Sequence, residues 1–490
     1  MSSIAKLFGD KRFWLFFFIF ALAAFLRFYR LPEYLQFLGD EGRDVLVVKR
    51  MIVDHQWTLL GPTASVGGFY TGPVYYYFMI PFLWAFQLDP VGPAVMAALF
   101  GLATVALIYY FTKIFVNDRA AVVAAFLAAI SPKMVDISRF SWNPNPVPLF
   151  TLLTFLCLYL ATRKKRHLFT FLAGLSLGIL YQLHYTDLTL FPIVGVTTLL
   201  IFPLRQAIFS WLFLVSGFIL GNSPFLLFEA RHGFPNTKTV WEFLTRGTTV
   251  APRSYNLFWL FYDRSRILFE VMFGTSAKTL LVFYFGSLLA LLLWVRNGVK
   301  AKILLAWFLL GALGIGFYRG QILDHYFGYL YPLPFILIGL AFNTLAKNRG
   351  GLIVGLTGLA VLTYFSIQPL FLWQPPNNLL AQTKGVDQIV IELAAGQPYN
   401  FALIAPGNSD HAYRYFLEIG NQPPVVIYNP DLDPTRASVT NQLLVVCEQK
   451  ECAPLGNPLW EIAGFGRAEI AQVRQGPAGI RVLKLVHYKG

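Results

Sequence analysis

The first apolar run of the chain is FWLFFFIFALAAFLRFY at residues 13–29, and the polar stretch LGDEGRD follows it at residues 38–44. A run of this length approaches the roughly 20 apolar residues that span a bilayer as a helix. The adjacent carboxylates of Asp40 and Glu41 therefore stand next to a membrane surface, where a charged side chain usually needs a partner or a task. In a chain that is otherwise mostly apolar, this pair is the best indication of chemistry.

The composition indicates a membrane protein. Of the 490 residues, 56% are hydrophobic and 13% are charged, whereas a soluble globular protein carries about 25% charged residues. The net charge of +14 could indicate nucleic acid, but much of the Lys and Arg lies in short loops between apolar runs, as the positive-inside rule requires. No basic module or RNA-binding signature is present, so we expect no nucleic-acid partner. The composition predicts an α-helical, polytopic membrane protein.

Eleven apolar runs are interpreted as spans. The predicted spans are 13–30, 91–112, 119–131, 146–162, 168–183, 187–203, 207–222, 277–295, 303–318, 327–343 and 351–370. Basic connections mark the cytoplasmic side, and each lies two spans from the next. These connections are 113–119, 163–166, Arg205, 296–302 and 347–349. We therefore expect a multi-pass protein of the plasma (inner) membrane, with the N-terminus in the cytoplasm and the C-terminus outside.

One further apolar run, 73–86, does not fit the alternation of basic loops. Counting it as a span would put Asp40 on the same side as the basic 113–119 loop. We place 73–88 outside the cytoplasm, as a helix lying in or dipping into the membrane, because its tyrosines and tryptophan suit an interface. The first external loop then extends over 31–90.

Within this loop, segment 41–55 is amphipathic, with Val45, Val48 and Ile52 on one face. Such a helix can lie flat on the membrane. The alternative is a helix on a small external domain.

After Leu372 polar residues, Asn and Pro become frequent. We expect strands over Asn400–Ala405, Gln442–Val446 and Ile480–Val486 and a helix over Asp410–Ile419. The predicted domains are a transmembrane domain, 1–371, and a small extracytoplasmic α/β domain, 372–490. Cys447 and Cys452 lie close together there and could form a disulfide outside the cytoplasm, whereas Cys157 is expected to pack within an apolar run.

The external connections collect polar and aromatic residues. Besides Asp40 and Glu41, they include Tyr70, Tyr75, Lys133, Arg139, Asn143, His184, Arg319, His325 and Tyr326. A carboxylate can deprotonate a hydroxyl or amine acceptor, arginines can hold a phosphate bidentately, and aromatic rings can cover a sugar or an isoprenoid. Together they suit the transfer of a sugar from a lipid phosphate to an acceptor at the membrane surface.

Each of these residues also has a structural interpretation. Asp40 could pair with Arg43 or cap the following helix, and Glu41 could start that helix. Arg139 and the aromatic residues from Tyr70 to Tyr77 could be interfacial anchors. The two histidines could simply pack, and Lys133 could bind a lipid headgroup.

The order of the motifs resembles a known family. One span, then Leu-Gly-Asp40-Glu41, an amphipathic helix and Gly72-Pro73-Val74-Tyr75-Tyr76 is similar to the membrane glycosyltransferases of the C-type (GT-C) fold. The resemblance is to the protein O-mannosyltransferase-like family and the bacterial lipid A aminoarabinose transferases. Ser131-Pro132 before Ser138-Arg139, and His325-Tyr326 before Tyr331-Pro332, extend it over roughly residues 10–345.

The resemblance implies that Asp40, beside Glu41, is the catalytic carboxylate and that the donor is a polyprenyl-phosphate sugar. It implies phosphate binding by basic residues, for which Arg139 and Arg319 are the candidates, followed by Lys133. The expected substrate-binding residues are Tyr70, Tyr75, Asn143, His184, His325 and Tyr326. Some relatives bind zinc through a glutamate and two histidines; His184 and His325 could serve here, but no glutamate is identifiable, so a divalent metal is left undecided.

The predicted function is an inverting glycosyltransferase that moves a sugar from a polyprenyl-phosphate carrier to a lipid, glycan or protein acceptor on the outer face of the membrane. The alternative is a membrane transporter or lipid flippase, for which charges within the spans and paired repeats are expected. A third hypothesis is a noncatalytic assembly protein that binds partners through its C-terminal domain.

Overall fold

The fold is taken from a computed structural model, which describes residues 11–64, 67–246, 256–316, 318, 321–370 and 379–489. In chain order its α-helices are α1 (Lys11–Phe28), α2 (Gly39–Val53), α3 (Val74–Ala85), α4 (Val91–Phe115), α5 (Asp118–Ile130), α6 (Pro132–Asp136), α7 (Val147–Ala161), α8 (Arg166–Leu183), α9 (Leu190–Ile201), α10 (Leu204–Gly221), α11 (Ser223–His232), α12 (Pro235–Arg246), α13 (Leu257–Phe273), α14 (Ala277–Trp294), α15 (Val299–Gly316), α16 (Pro332–Leu345), α17 (Arg349–Ile367), α18 (Leu380–Ala394), α19 (His411–Ile419) and α20 (Trp460–Phe465). The 3-10 helices Tyr185–Thr189 and Asp324–Leu330 lead into α9 and α16.

The eleven predicted spans all coincide with helices. Four helices of the described residues, α4, α10, α15 and α17, are long and apolar enough to cross a membrane, and Asp324–Leu330 with α16 would be a fifth span bent by 53°. Other apolar segments, such as Phe13–Phe28 of α1 and the whole of α7, are shorter. The predicted helices are confirmed, while the number of eleven crossings stays a prediction.

The chain divides into two compact units. The first unit comprises residues 1–29, 57–82 and 93–374, and the second comprises residues 30–56, 83–92 and 375–490. The second unit therefore contains α2 as well as the C-terminal sheet. The sequence boundary at 371/372 stays a prediction.

In the first unit, helices α8 and α10 pack with their backbones in contact. Each carries two glycines four residues apart, Gly174 and Gly178 in α8 and Gly217 and Gly221 in α10. A Cβ atom on Gly174 would collide with the carbonyl oxygen of Leu214. Small residues at this spacing are a common way for membrane helices to approach closely.

The second unit is built on a four-stranded sheet. Its strands are β1 (Asn400–Ile404), β2 (Gln442–Cys447), β3 (Ala468–Gln475) and β4 (Arg481–His487), in the order β1-β2-β4-β3. β1 and β2 are parallel, while β4 runs antiparallel to both β2 and β3. The three predicted strands and the helix at 410–419 are confirmed, and a disulfide joins Cys447 to Cys452.

Helix α2 packs against the start of α19 in the second unit. Cβ atoms on Gly39 and Gly42 would collide with Ser409 and with the backbone of Ala412. On the apolar face of α2, Val45 and Val48 are buried. Protein therefore covers this face, which fits the external-domain alternative better than a helix lying flat on lipid.

Candidate active site

Helix α2 begins immediately before the two carboxylates. The N–H of Gly39 donates to Asn408 Oδ1 at 3.0 Å, and the N–H of Leu38 donates to Glu41 Oε2 at 3.1 Å. Glu41 thus reaches back from the first turn to cap the helix, as the acidic member of a capping box does. The helix dipole also favours negative charge at this end.

The two adjacent carboxylates have different environments. Glu41 is only 5% exposed, and burial, with smaller contributions from the charges of Asp40 and Asp44, raises its pKa to about 8. The side chain of Asp40 is 53% exposed. Asp40 can therefore meet a substrate, whereas the geometry of Glu41 fits its structural interpretation and its catalytic role stays a prediction.

Arg43 holds one oxygen of Asp40. Its Nη1 donates to Asp40 Oδ1 at 2.9 Å, while its Nε and Nη2 lie 2.9 and 2.8 Å from Oδ1 of the buried Asp44. Within the described residues, Asp40 Oδ2 has no hydrogen-bond partner. Arg43 thus fixes the orientation of the Asp40 carboxylate through Oδ1, and Oδ2 is available to accept a proton, as a general base requires.

His411, the first residue of α19, is a neighbour of this site that sequence analysis missed. Its Nδ1 lies 2.9 Å from Ser409 Oγ. Burial lowers the pKa of His411, the charge of Arg43 acts in the same direction, and the charges of Asp410 and Asp40 oppose the shift. No local motif marks this residue, because it lies about 370 positions from Asp40.

In the first unit, Lys133 lies between two carboxylates. Its Nζ is 3.9 Å from Asp136 Oδ2 and 3.6 Å from Asp324 Oδ2, and both aspartates are exposed. These separations are longer than hydrogen bonds, and exposed ion pairs of this kind contribute little to stability. A phosphate group can therefore replace one of the two carboxylates as the ion-pair partner of Lys133.

Arg139 is buried at the C-terminal end of α1. Its Nη1 donates to the carbonyl oxygens of Leu26 and Arg27, and its Nη2 donates to that of Tyr29, all at 3.0 Å. These carbonyls belong to the helix end, where a cation is favoured by unsatisfied acceptors and by the dipole. The geometry fits the anchor interpretation; the phosphate role of Arg139 stays a prediction, and Arg319 lies outside the described residues.

Three of the predicted substrate residues meet in one cluster of rings. The His184 ring centroid lies 5.0 Å from that of His325 and 5.4 Å from that of Tyr326, and Trp142 lies 4.6 Å from His325. Burial, followed by the neighbouring His325, lowers the pKa of His184 to about 3. The His184 ring is therefore neutral near pH 7, and Trp142 joins the cluster although sequence analysis did not select it.

The histidine pair alone does not complete a metal site. Zinc takes three or four protein ligands. Within the ranges that the structure describes, no group of three His, Cys, Asp or Glu side chains is arranged to hold a metal ion. A divalent metal therefore stays a prediction, and no chemical step is derived through one.

The remaining predicted residues separate into buried and exposed positions. Tyr75 is buried, with its hydroxyl 2.7 Å from Ser141 Oγ, and buried Asn143 donates to the carbonyl oxygen of Leu183 at 2.5 Å. Tyr70 is exposed. Tyr75 and Asn143 thus support loops, whereas the ring of Tyr70 is open to a ligand.

The chain resembles known proteins in part of its sequence and in its fold. Residues 71–228 match the family model described as dolichyl-phosphate-mannose-protein mannosyltransferase. No curated protein matches the chain in sequence. ArnT from Cupriavidus metallidurans, solved with undecaprenyl phosphate bound, superposes with a TM-score of 0.64 at 13% identity, over 96% of this chain and 98% of ArnT. The chain has the C-type glycosyltransferase fold.

Two larger proteins share this C-type fold. The archaeal oligosaccharyltransferase AglB from Archaeoglobus fulgidus, solved with an inhibitory peptide and a dolichol-phosphate, gives a TM-score of 0.55 at 13% identity, over 89% of this chain and 69% of AglB. The mycobacterial arabinofuranosyltransferase AftD gives 0.54 at 13% identity, over 98% of this chain and 42% of AftD. The predicted multi-pass membrane fold is confirmed, while the orientation of the termini stays a prediction.

Proposed function

We propose that this protein is an inverting glycosyltransferase that moves a sugar from a polyprenyl-phosphate carrier to an acceptor at the outer face of the membrane. The fold shared with ArnT and AglB, whose structures hold undecaprenyl phosphate and dolichol-phosphate, supports this class of donor. The observation that carries the proposal is the exposed Asp40 carboxylate on the first loop helix of this fold, with one oxygen held by Arg43.

In the proposed reaction, Asp40 Oδ2 takes the proton of the acceptor hydroxyl or amine. The acceptor oxygen or nitrogen forms a bond to the anomeric carbon from the face opposite the phosphate. The bond between the anomeric carbon and the phosphate oxygen breaks, and the polyprenyl phosphate leaves with that electron pair. General-base assistance of this kind contributes about 10²–10⁴-fold.

Lys133 is the proposed ligand of the departing phosphate. Its loosely held ammonium group can offset the negative charge that develops on the leaving group, which is often the largest contribution to transfer catalysis. We assign Arg139 to holding the end of α1, because at least three of its donor contacts go to carbonyl oxygens there. Arg319 remains a further candidate for phosphate binding.

The ring cluster of Trp142, His184, His325 and Tyr326 is the proposed surface for the sugar or the first isoprenoid units. Nδ1 of the neutral His184 ring accepts the Thr186 N–H, so its Nε2–H can donate a hydrogen bond to a sugar hydroxyl. The basic loops support an orientation in which the N-terminus is cytoplasmic and the second unit is outside. The acceptor is then a lipid, glycan or protein in that compartment.

A donor screen tests this function. Purified protein is incubated with sugars linked to undecaprenyl or dolichyl phosphate, with matched nucleotide sugars as controls, and the products are analysed by mass spectrometry and NMR. We expect transfer from polyprenyl-linked donors only, with inverted anomeric configuration. Transfer from nucleotide sugars alone, or with retained configuration, would contradict the proposal.

A further inference from the structure

A cavity of about 620 Å³ lies in the first unit where α8, α10 and α15 begin. Five cationic side chains contribute to its lining: Arg163, Lys164, Lys165, Arg166 and Lys300. Among the described residues that line it there is no aspartate or glutamate. The cavity therefore concentrates positive charge that the surrounding protein does not neutralise.

The cations have few partners inside the protein. Within the described residues, the ammonium groups of Lys164 and Lys165 make no hydrogen bond or ion pair, and Nε of Arg166 is buried without an acceptor. Arg166 Nη1 donates to Gln206 Oε1 at 2.9 Å, and Lys300 Nζ donates to the carbonyl oxygen of Ile114 at 2.6 Å. Their partners are uncharged oxygens, so the positive charges remain available to an anion.

The backbone adds to this positive potential. Helices α8, α10 and α15 all start beside the cavity, and none has an acidic residue in its first turn. The unpaired N–H groups at a helix N-terminus favour anions. The alternative is that these are ordinary basic loops that follow the positive-inside rule. Such loops need not share a cavity, whereas here the connections that precede α8, α10 and α15 form one concave surface.

The position of the cavity indicates which kind of anion it binds. Helix α8 starts at Arg166, which lines the cavity, and ends at Leu183, next to His184 of the ring cluster. At 1.5 Å per residue its length is about 27 Å, close to the thickness of a bilayer core. Helices α10 and α15, which also start beside the cavity, are long and apolar enough to cross a membrane. The cavity and the ring cluster are thus separated by about the spacing expected between the two headgroup layers. The apolar lining residues Ile201 and Phe202 suit the glycerol and upper acyl part of a lipid.

We propose that this cavity binds the phosphate-bearing headgroup of an anionic phospholipid in the leaflet opposite the ring cluster. The phosphate would contact the cations and the helix N-termini, and the acyl chains would lie along the apolar surface of the helices. Basic pockets between membrane helices are known to take such headgroups. This inference does not depend on the proposed function, because the ring cluster serves only to mark the other end of α8 and no proposed catalytic residue contacts the lipid.

Lipid binding by the full-length protein tests the proposal. The protein is purified in mild detergent and titrated with phosphatidylglycerol or phosphatidylcholine, and bound lipids are counted by native mass spectrometry. We expect preferential binding of phosphatidylglycerol, weakened roughly 10- to 30-fold in Lys164→Gln/Lys165→Gln, on the basis of two lost surface cations. Both side chains are exposed and make no hydrogen bond or ion pair with the part of the chain that the structure describes, so thermal unfolding is expected to be unchanged.

The matched control is Lys347→Gln/Arg349→Gln, which removes the same charge from another basic connection that does not line the cavity. It should bind phosphatidylglycerol like the wild type. No preference for phosphatidylglycerol, or equal loss in both double variants, would overturn the proposal. Inorganic pyrophosphate serves as a third probe: tight binding of pyrophosphate without binding of phosphatidylglycerol would assign the cavity to a free anion instead and would also overturn it.

Discussion

Asp40 and Glu41 are adjacent in sequence, but they differ in burial and therefore in role. Glu41 points into the protein and accepts the Leu38 N–H, whereas Asp40 stays exposed and shares Arg43 with Asp44. The sequence shows two carboxylates side by side at a helix start, and this pattern alone cannot say which one is exposed. Packing makes the difference: the buried Glu41 caps the helix, whereas the exposed Asp40 is the proposed general base.

The raised pKa of Glu41 predicts a pH-dependent stability. Between its ordinary value of 4.5 and its folded value of about 8, the folded protein keeps a proton that the unfolded chain has lost. The free energy of unfolding therefore decreases as the pH rises through this window, and the contribution of Glu41 becomes constant above it. Glu41→Gln should reduce this slope and stabilise the protein at pH 8 by roughly 2–4 kcal/mol, since the amide oxygen can still accept the Leu38 N–H.

Thermal unfolding in detergent at pH 5 and pH 8 measures the effect of Glu41→Gln. Glu392→Gln, at an exposed position on α18, is the control and should leave the slope unchanged. A variant at position 41 with the slope of the wild type would show that Glu41 is not held protonated by burial.

Lys133 is expected to act on the donor. Lys133→Gln should raise the KM for the polyprenyl-phosphate donor and lower kcat/KM roughly 10- to 100-fold, because a charge-assisted contact to the phosphate is lost. Lys133→Arg should retain part of the activity. Steady-state kinetics with varied donor provide the measurement, with Lys238→Gln, at an exposed position of α12, as the control. An unchanged donor KM in Lys133→Gln would remove Lys133 from the phosphate site.

At the scale of the elements, α2 depends on residues far along the chain. The N–H of Gly39 donates to Asn408, whose amide donates to Glu448 Oε1 at 3.0 Å. The hydroxyl of Tyr413 donates to the same oxygen at 2.8 Å. The first turn of the helix that carries Asp40 is therefore fixed by residues of the C-terminal segment within the second unit.

The contact between α2 and α19 predicts a steric effect at Gly42. A methyl group there would collide with the backbone of Ala412, so Gly42→Ala should destabilise the protein by about 1–3 kcal/mol and lower activity. Gly286→Ala, in α14 with no atom within 4 Å of the added Cβ, should be neutral or stabilising because alanine favours a helix. Thermal unfolding compares the two, and equal melting temperatures would mean that the helices do not touch at Gly42.

The elements differ in how much the sequence reveals of them. Long apolar runs gave the positions of the spanning helices, and β1, β2 and β4, whose central residues are mostly buried, show clear apolar patterns. Strand β3 was not predicted, because nearly all of its residues are exposed and its sequence lacks apolar alternation. The packing of α2 on α19 was also beyond prediction, because no local pattern links positions so far apart.

At the scale of the whole molecule, the C-terminal segment is part of the unit that holds α2. Deleting it would remove α19, the helix on which α2 packs, and so disturb the helix that carries Asp40. A loss of all activity on deletion therefore cannot distinguish a transferase from an assembly protein. Point variants within the two units are the better test.

The predicted orientation can be tested by labelling with a membrane-impermeant maleimide. Cys157 is buried and Cys447 is joined to Cys452, so the wild type should show little background. His55→Cys and Phe86→Cys should react in intact cells, whereas Asn297→Cys should react only after permeabilisation, because 296–302 is a basic connection. Reaction of Phe86→Cys only from the cytoplasm would mean that residues 73–88 cross the membrane.

The most direct test of the account is the turnover number of Asp40→Asn with saturating donor and acceptor. The asparagine keeps an oxygen that can accept from Arg43, so donor affinity and the melting temperature should match the wild type while kcat falls about 10²–10⁴-fold. Asp54→Asn, at the other end of α2, should retain wild-type turnover. Turnover by Asp40→Asn at the wild-type rate would contradict the assignment of this carboxylate as the general base.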